Sequence, residues 1–346
     1  MISNTFFVKT IASLFVVFSC TGLWSQTTDI AISGNINSYY PDKNGIPGIK
    51  VYLKSGNQLL DSCFTNKDGE YRFNVIRNRK KLTVHPVVAD EPPDNLNAWD
   101  LFQINQHILG LKILKTPFHI LAADVDGDQQ ITTQDISGLQ KLLLDDQNEK
   151  PTIKKWQFVA ASWRFDDLRN PFLKPAPAGR KVRSGEQHVD FTAVRKGYIG
   201  NTAYSKFRSG IWPKAYVSCF MPPQKAEEQF VTIPVIYKSE TVLDAIQMDL
   251  QYDTFFLELV SPSPGDLAGF SLENFGLNST FYGRIHALWY VNPALEKTAL
   301  QKGTMLFYLT FKVLHDLPKN GHLLTIAQGQ AWSEDLTLFC IDEEPN

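Results

Sequence analysis

The stretch Phe230-Val-Thr-Ile-Pro-Val-Ile-Tyr237 has the alternation and the β-branched and aromatic content of a β-strand. Further runs of this kind follow it, with no helical period between them: 246–253, 256–260, 285–289, 305–313 and 323–326. Six or more strands without intervening helices predict a β-sandwich or jelly roll, which we place at residues 214–346.

The N-terminal part of the chain also has a β pattern. Short alternating runs, Ile30–Ile36, Ile49–Leu53 and Tyr71–Val75, are separated by Asn-Gly and Asp-Gly turns. They predict a small antiparallel sandwich over residues 28–88. The expected fold class is therefore mainly β, with two sandwiches separated by a short helical pair.

In residues 89–147 the apolar residues recur with the period of a helix. Two stretches of this segment can be aligned with each other position by position. Asp100, Ile104 and Ile108 correspond to Asp135, Leu139 and Leu143, which places apolar side chains on one face of each of two short helices. Leu109-Gly110 is a stop signal for the first helix, and Pro117 lies in the connection.

Residues 148–213 are rich in Trp, Phe, Pro and Arg, as in Trp156-Gln-Phe158 and Trp163-Arg-Phe165. We expect an irregular connector with a few strands. Its aromatic residues have two candidate uses, packing over neighbouring domains or forming a platform for sugar or peptide. Packing is the commoner use of such residues, so the pattern is no basis for a binding claim.

The most specific string in the chain is Asp124-Val-Asp-Gly-Asp-Gln-Gln-Ile-Thr-Thr-Gln-Asp135, directly before the second helix. Calcium takes six to eight oxygen ligands, and a twelve-residue loop supplies them by curling around the ion. The expected metal ligands are Asp124, Asp126, Asp128, Gln130 (through its carbonyl), Thr132 and Asp135. The alternative is a solvated acidic turn that caps the helix, but three closely spaced carboxylates repel one another unless a cation neutralises them.

Two departures limit this calcium prediction. Gln129 occupies the sharply turning sixth position, where glycine is usual, so we expect loop strain or lower affinity. The matching earlier loop, residues 90–100, is one residue short and contains Pro92-Pro93. It offers at most a weak second site, with these candidate ligands: Asp90, Asp94, Asn97 and Asp100.

Three resemblances follow from these residues. The Asp124–Asp135 loop, with its Asp-Gly-Asp opening and Asp at position 12, resembles a dockerin repeat. The strand order of residues 214–346, with Val-x-Ile-Pro-Val and Gln-Tyr-Asp, looks like a cohesin domain. Gly-x-Pro-Gly and Asp-Gly-x-Tyr-x-Phe in residues 28–88 resemble small Cna-B-like or prealbumin-like domains.

The dockerin resemblance implies a protein partner, bound in cis or in trans. It also implies which residues contact a cohesin: Thr133 and Gln134 after the loop centre, with Ala98 and Trp99 in the other repeat.

Several function classes are disfavoured. A net charge of −2 gives no basic field for nucleic acid. The seven histidines are scattered singly, and no nucleophile elbow or phosphate-binding glycine loop is present in the sequence. We therefore expect a non-enzymatic protein.

The first 25 residues have the outline of a signal peptide, with an apolar run too short to span a membrane. We expect plain cleavage after Ser25. Lipidation of Cys20 is the alternative, for which Phe18 is a poor fit, and both predict export. The remaining three cysteines fit either a Cys219–Cys340 disulfide or three buried thiols.

The leading functional hypothesis is an exported, calcium-binding assembly or adhesion protein that works through the dockerin-like and cohesin-like parts. The alternative is an accessory carbohydrate-binding protein of a polysaccharide-degrading system. Trp289 and Tyr290 are consecutive in a strand and face opposite sides, which counts against that alternative. A third hypothesis makes these modules appendages of a longer catalytic chain.

Overall fold

The computed structural model describes residues 30–39, 43–75, 81–88, 96–144, 156–200, 213–219, 229–292, 300–318, 323–333 and 338–343. These residues are mainly β, as the sequence predicts. The signal-like segment 1–25 and Cys20 lie outside them, so the export predictions stay predictions.

Seventeen strands are assigned within the described ranges: Ile30–Ser38 (β1), Ile49–Ser55 (β2), Gln58–Phe64 (β3), Glu70–Val75 (β4), Leu82–Val88 (β5), Trp156–Ala160 (β6), Arg180–Lys181 (β7), Phe191–Arg195 (β8), Lys214–Cys219 (β9), Phe230–Tyr237 (β10), Ala245–Tyr252 (β11), Leu257–Pro264 (β12), Phe275–Gly276 (β13), Arg284–Tyr290 (β14), Met305–Val313 (β15), Leu324–Trp332 (β16) and Leu338–Glu343 (β17). The helices are Ala98–Ile108 (α1), Pro117–Ala123 (α2) and Thr133–Leu143 (α3).

In the described residues, the N-terminal sandwich consists of two four-stranded sheets, in the orders β4-β1-β8-β6 and β3-β2-β5-β7. Alternate residues of β1 and β2 point into the space between them, where Ile36 and Val51 are fully buried with Phe73 and Phe191. This burial with a period of two is the reason why the sequence pattern identifies these strands.

The segment 148–213 differs from the expected irregular connector. Its strands β6, β7 and β8 complete both sheets of the N-terminal sandwich, with β8 parallel to β1 and β7 antiparallel to β5. The sandwich is therefore not confined to residues 28–88. The physical reason is that β1 and β4 alone form a two-stranded sheet, which is too narrow to cover the apolar face of the opposite sheet.

The described part of the C-terminal sandwich is one nine-stranded sheet, in the order β12-β15-β10-β9-β17-β16-β11-β14-β13, that bends over its own core. Strands from its two ends face each other: the Phe275 ring of β13 lies 5.0 Å from the Phe307 ring of β15. Trp289, Trp332 and Phe311 are also buried in this core.

Within the described residues 96–144 there are three helices, where the sequence predicts two. Pro117 lies at the start of the additional helix α2, whose N-cap Thr116 accepts a hydrogen bond from the His119 N–H. A Thr-Pro pair before an apolar run is a signal for the start of a helix. The prediction that Pro117 lies in a connection did not use this signal. The end of α1 is as expected, with Gly110 at φ 70° after the C-cap Leu109.

The Cys219–Cys340 disulfide is incompatible with the strand register. Strands β9 and β17 pair in parallel with Cys340 opposite Lys214, so Cys219 lies five residues further along β9. At about 3.3 Å per residue this separates the two Cα atoms by roughly 16 Å, more than twice the span of a disulfide.

Among the described helices, none combines the length and the apolar character needed to cross a membrane.

Candidate metal loop and docking face

The loop between α2 and α3 gathers three of the six predicted ligands. One carboxylate oxygen from each of Asp124, Asp126 and Asp128 lies within 4.8 Å of the other two. Two oxygens that ligate the same calcium ion, each at about 2.4 Å from it, are at most about 4.8 Å apart. Asp124 is buried, whereas Asp126 and Asp128 are exposed. The geometry of the three carboxylates fits one shared cation reached from solvent.

Asp135 closes the loop by hydrogen bonding and is not in that group of three. Its Oδ1 accepts the Val125 N–H at 2.6 Å, and its Oδ2 accepts the Thr132 N–H at 2.7 Å. Burial raises the pKa of Asp135, and these backbone donors oppose that rise. Thr132 caps α3 by accepting the Gln134 N–H at 3.2 Å. Asp135 thus fixes the two ends of the loop relative to each other.

Gln129 and Gln130 shape the exposed side of the loop. Gln129 has φ 73°, in the left-handed region that costs a residue with a Cβ atom roughly 1–2 kcal/mol. Its N–H donates to Asp124 Oδ1 at 3.3 Å, and the Gln130 N–H donates to Asp128 Oδ1 at 2.7 Å. The strained turn expected at position 6 is therefore present.

A lysine that the sequence analysis did not single out reaches this loop. Lys196 directly follows β8, and its Nζ donates to the Asp124 carbonyl at 2.6 Å and to Asp124 Oδ2 at 3.1 Å. Both side chains are almost fully buried, with 3% and 4% exposure. Burial lowers the pKa of Lys196, and the Asp124 carboxylate opposes that shift. No sequence signal identifies this contact, because the two residues are 72 positions apart.

The first repeat is built like the second at its helix start. Asn97 and Asp100 form a capping box at α1, as Thr132 and Asp135 do at α3. The Asp100 carboxylate, which is buried, also accepts the Ile199 N–H at 2.9 Å and the Gly200 N–H at 3.2 Å. Burial raises its pKa to about 7, against the effect of these donors. Asp90 and Asp94 lie outside the described residues, so the second metal site stays a prediction.

Helix α1 packs on the C-terminal sandwich, against β11 and β14. The two residues predicted to contact a partner in this repeat, Ala98 and Trp99, are buried, with 0% and 2% exposure. The Ala98 N–H donates to Gln247 Oε1 in β11 at 3.2 Å. The apolar side chains of the helices and of the sandwich form one continuous core. We call this contact, between the helices and the β11–β14–β13 side of the sandwich, the docking face.

Helix α3 extends the docking face. Gln140 Nε2 donates to the Glu273 carbonyl at 2.9 Å. A Cβ atom added at Gly276 in β13 would lie 1.9 Å from the Leu144 carbonyl oxygen, so the two backbones approach too closely for any other residue. Thr133 and Gln134, the partner residues predicted in the second repeat, are exposed.

The described aromatic residues named in the sequence analysis mostly pack against the two cores. Trp156 and Phe158 of β6 have nearly parallel rings, at 11° with centroids 6.5 Å apart, and both contact the core of the N-terminal sandwich. Trp289 is buried, and its Nε1 donates to the Ala268 carbonyl at 2.9 Å. The exposed Phe281 and Tyr282 rings lie at 85° to each other. In the segment 148–213, Trp163, Phe165 and Phe172 pack against the core.

Comparison with protein-family models matches residues 223–337 to the cohesin domain family. The chain therefore contains a cohesin domain in its C-terminal sandwich, as the resemblance of those strands implies. A search among curated proteins gave no match.

Several solved cohesin structures match part of the chain. Type II cohesin A11 from Bacteroides cellulosolvens is 14% identical with a TM-score of 0.31, over 38% of this chain and 96% of that one. The sixth cohesin of Acetivibrio cellulolyticus scaffoldin B, in complex with a Cel5 dockerin mutant, is 16% identical with a TM-score of 0.29, over 38% and 99%. The Coh-OlpA–Doc918 cohesin–dockerin complex from Clostridium thermocellum is 12% identical with a TM-score of 0.29, over 37% and 99%.

Proposed function

We propose that this protein is an exported, non-catalytic assembly protein whose dockerin-like helical pair binds the cohesin domain of its own chain. The observation that carries the proposal is the docking face. Helix α1 packs on the cohesin domain, and Ala98 donates its N–H to Gln247 of that domain. Ala98 and Trp99, the pair of residues for which the dockerin resemblance implies cohesin contact, are both buried.

The internal repeat leaves a second set of equivalent residues for a partner in trans. Thr133 and Gln134 occupy the same positions at the start of α3 as Ala98 and Trp99 at the start of α1, because both helices begin with the same capping box. In α3 these side chains are exposed. We therefore assign internal docking to the first repeat and external contact to the second, with adhesion or extracellular assembly as the outcome.

Calcium is the proposed ligand of the loop. Asp124, Asp126 and Asp128 would hold the ion, with the Gln130 carbonyl, Thr132 and Asp135 as the further oxygen donors. Bound calcium supplies positive charge that holds the carboxylates together. A rigid loop in turn fixes the start of α3, because Asp135 joins the loop ends to that helix.

Calcium titration of the chelated protein by calorimetry tests this site. We expect one binding event per chain, and a stabilisation of about 2.7 kcal/mol at a calcium concentration one hundred times Kd. Asp126→Asn combined with Asp128→Asn should abolish both the binding event and the stabilisation, because these exposed residues ligate the ion without supporting the core.

The matched control replaces two exposed carboxylates of the N-terminal sandwich, Asp61→Asn with Asp68→Asn, and should bind calcium like the wild type. Absence of heat up to millimolar calcium would refute the calcium proposal while leaving the docking face in place.

A further inference from the structure

The buried ion pair between Lys196 and Asp124 places a cation of the protein itself beside the acidic loop. Lys196 Nζ contacts both the carbonyl and the carboxylate of Asp124, and the charges of Asp126 and Asp135 also act on it. The loop therefore has one positive charge that interacts with three of its four carboxylates before any metal binds.

The position of this ammonium group is fixed by the backbone next to it. The N–H of Gly197 donates to the Ala122 carbonyl near the end of α2 at 2.7 Å. Gly197 has φ 82°, and an added Cβ atom would lie 2.7 Å from a Leu139 methyl group. The chain leaving β8 is thus held against α2 and α3, and Lys196 is aimed at Asp124.

We propose that Lys196 is a built-in counter-cation of the loop. It allows the loop and the helices around it to fold without metal, and it weakens the binding of a divalent cation to the three clustered carboxylates. The second part rests on the proposed calcium function; the first does not.

Electrostatics gives the sign of both effects. A buried carboxylate without a partner is strongly destabilising, so Lys196 stabilises the loop when no metal is bound. When a divalent ion enters, the ammonium repels it and competes for the Asp124 carboxylate. Lys196 directly follows β8, which is a strand of the N-terminal sandwich. The affinity of the loop for a cation therefore also depends on how that sandwich packs against the loop.

The test compares the full wild-type chain with Lys196→Met, which keeps an unbranched side chain one atom shorter and removes the charge. In chelator, the wild type should remain folded and Lys196→Met should melt at a clearly lower temperature. Calcium should raise the melting temperature of the variant more than that of the wild type, and its calcium Kd should be roughly tenfold lower. Lys181→Met, at an exposed position in β7, controls for the change in net charge and should behave like the wild type.

A second variant keeps the proposal testable if Lys196→Met does not fold in chelator. Lys196→Met combined with Asp124→Asn removes both charges of the pair and should fold in chelator. An unchanged melting temperature of Lys196→Met in chelator would overturn the first part of the proposal. Equal or weaker calcium binding by Lys196→Met would overturn the second part. If neither the wild type nor the variant binds calcium, the calcium function fails, and the first part is still decided by melting in chelator.

Discussion

Ala98→Arg is expected to release the helical pair from the cohesin domain. Ala98 has 0% exposure, and its N–H contacts Gln247 in β11. A guanidinium group at this point would lose its hydration without gaining a carboxylate partner, which costs several kcal/mol. Amide hydrogen exchange in β11 and β14 should therefore become much faster.

The internal repeat provides a matched control for this variant. Thr133→Arg places the same side chain at the equivalent position of α3, where the native residue is exposed. It should leave exchange in β11 and β14 unchanged. Equal exchange rates in the two variants would mean that α1 does not cover the sandwich.

Asp100→Ala is expected to lower the free energy of unfolding by about 3–5 kcal/mol, because three backbone N–H groups would lose their shared acceptor. These donors belong to Asn97, Ile199 and Gly200, and the carboxylate is 1% exposed. Denaturant unfolding measures the loss.

Asp100→Asn keeps one acceptor oxygen and should cost less than Asp100→Ala. Neither variant should change calcium binding at the Asp124–Asp135 loop, since Asp100 lies outside that loop, where it caps α1 and accepts the Ile199 and Gly200 N–H groups. A lower calcium stoichiometry in either variant would instead identify Asp100 as a metal ligand.

Local rules were sufficient for much of this architecture. The alternation in β10 and β15, the stop at Gly110 and the Asp124–Asp135 loop are all determined by residues close together in the chain. Local sterics and hydrogen bonding act over these short distances, so the sequence displays their pattern directly.

The contacts that define the site are of another kind. Lys196 reaches Asp124 across 72 positions, and Ala98 reaches Gln247 across 149. Strand β8 likewise pairs with β1, although the three helices lie between these two strands in the sequence. Such contacts depend on which apolar faces cover each other in three dimensions. The residues next to Lys196 or Ala98 in the sequence form no pattern that would predict these contacts.

Cleavage of the folded chain between its two halves tests internal docking most directly. A protease site inserted in the segment 201–212, outside the described residues, would separate both four-stranded sheets and the helices from all nine strands of the C-terminal sandwich. We expect the wild-type fragments to co-elute in size-exclusion chromatography after cleavage, and we expect Ala98→Arg but not Thr133→Arg to separate them. Separation of the wild-type fragments would contradict internal docking.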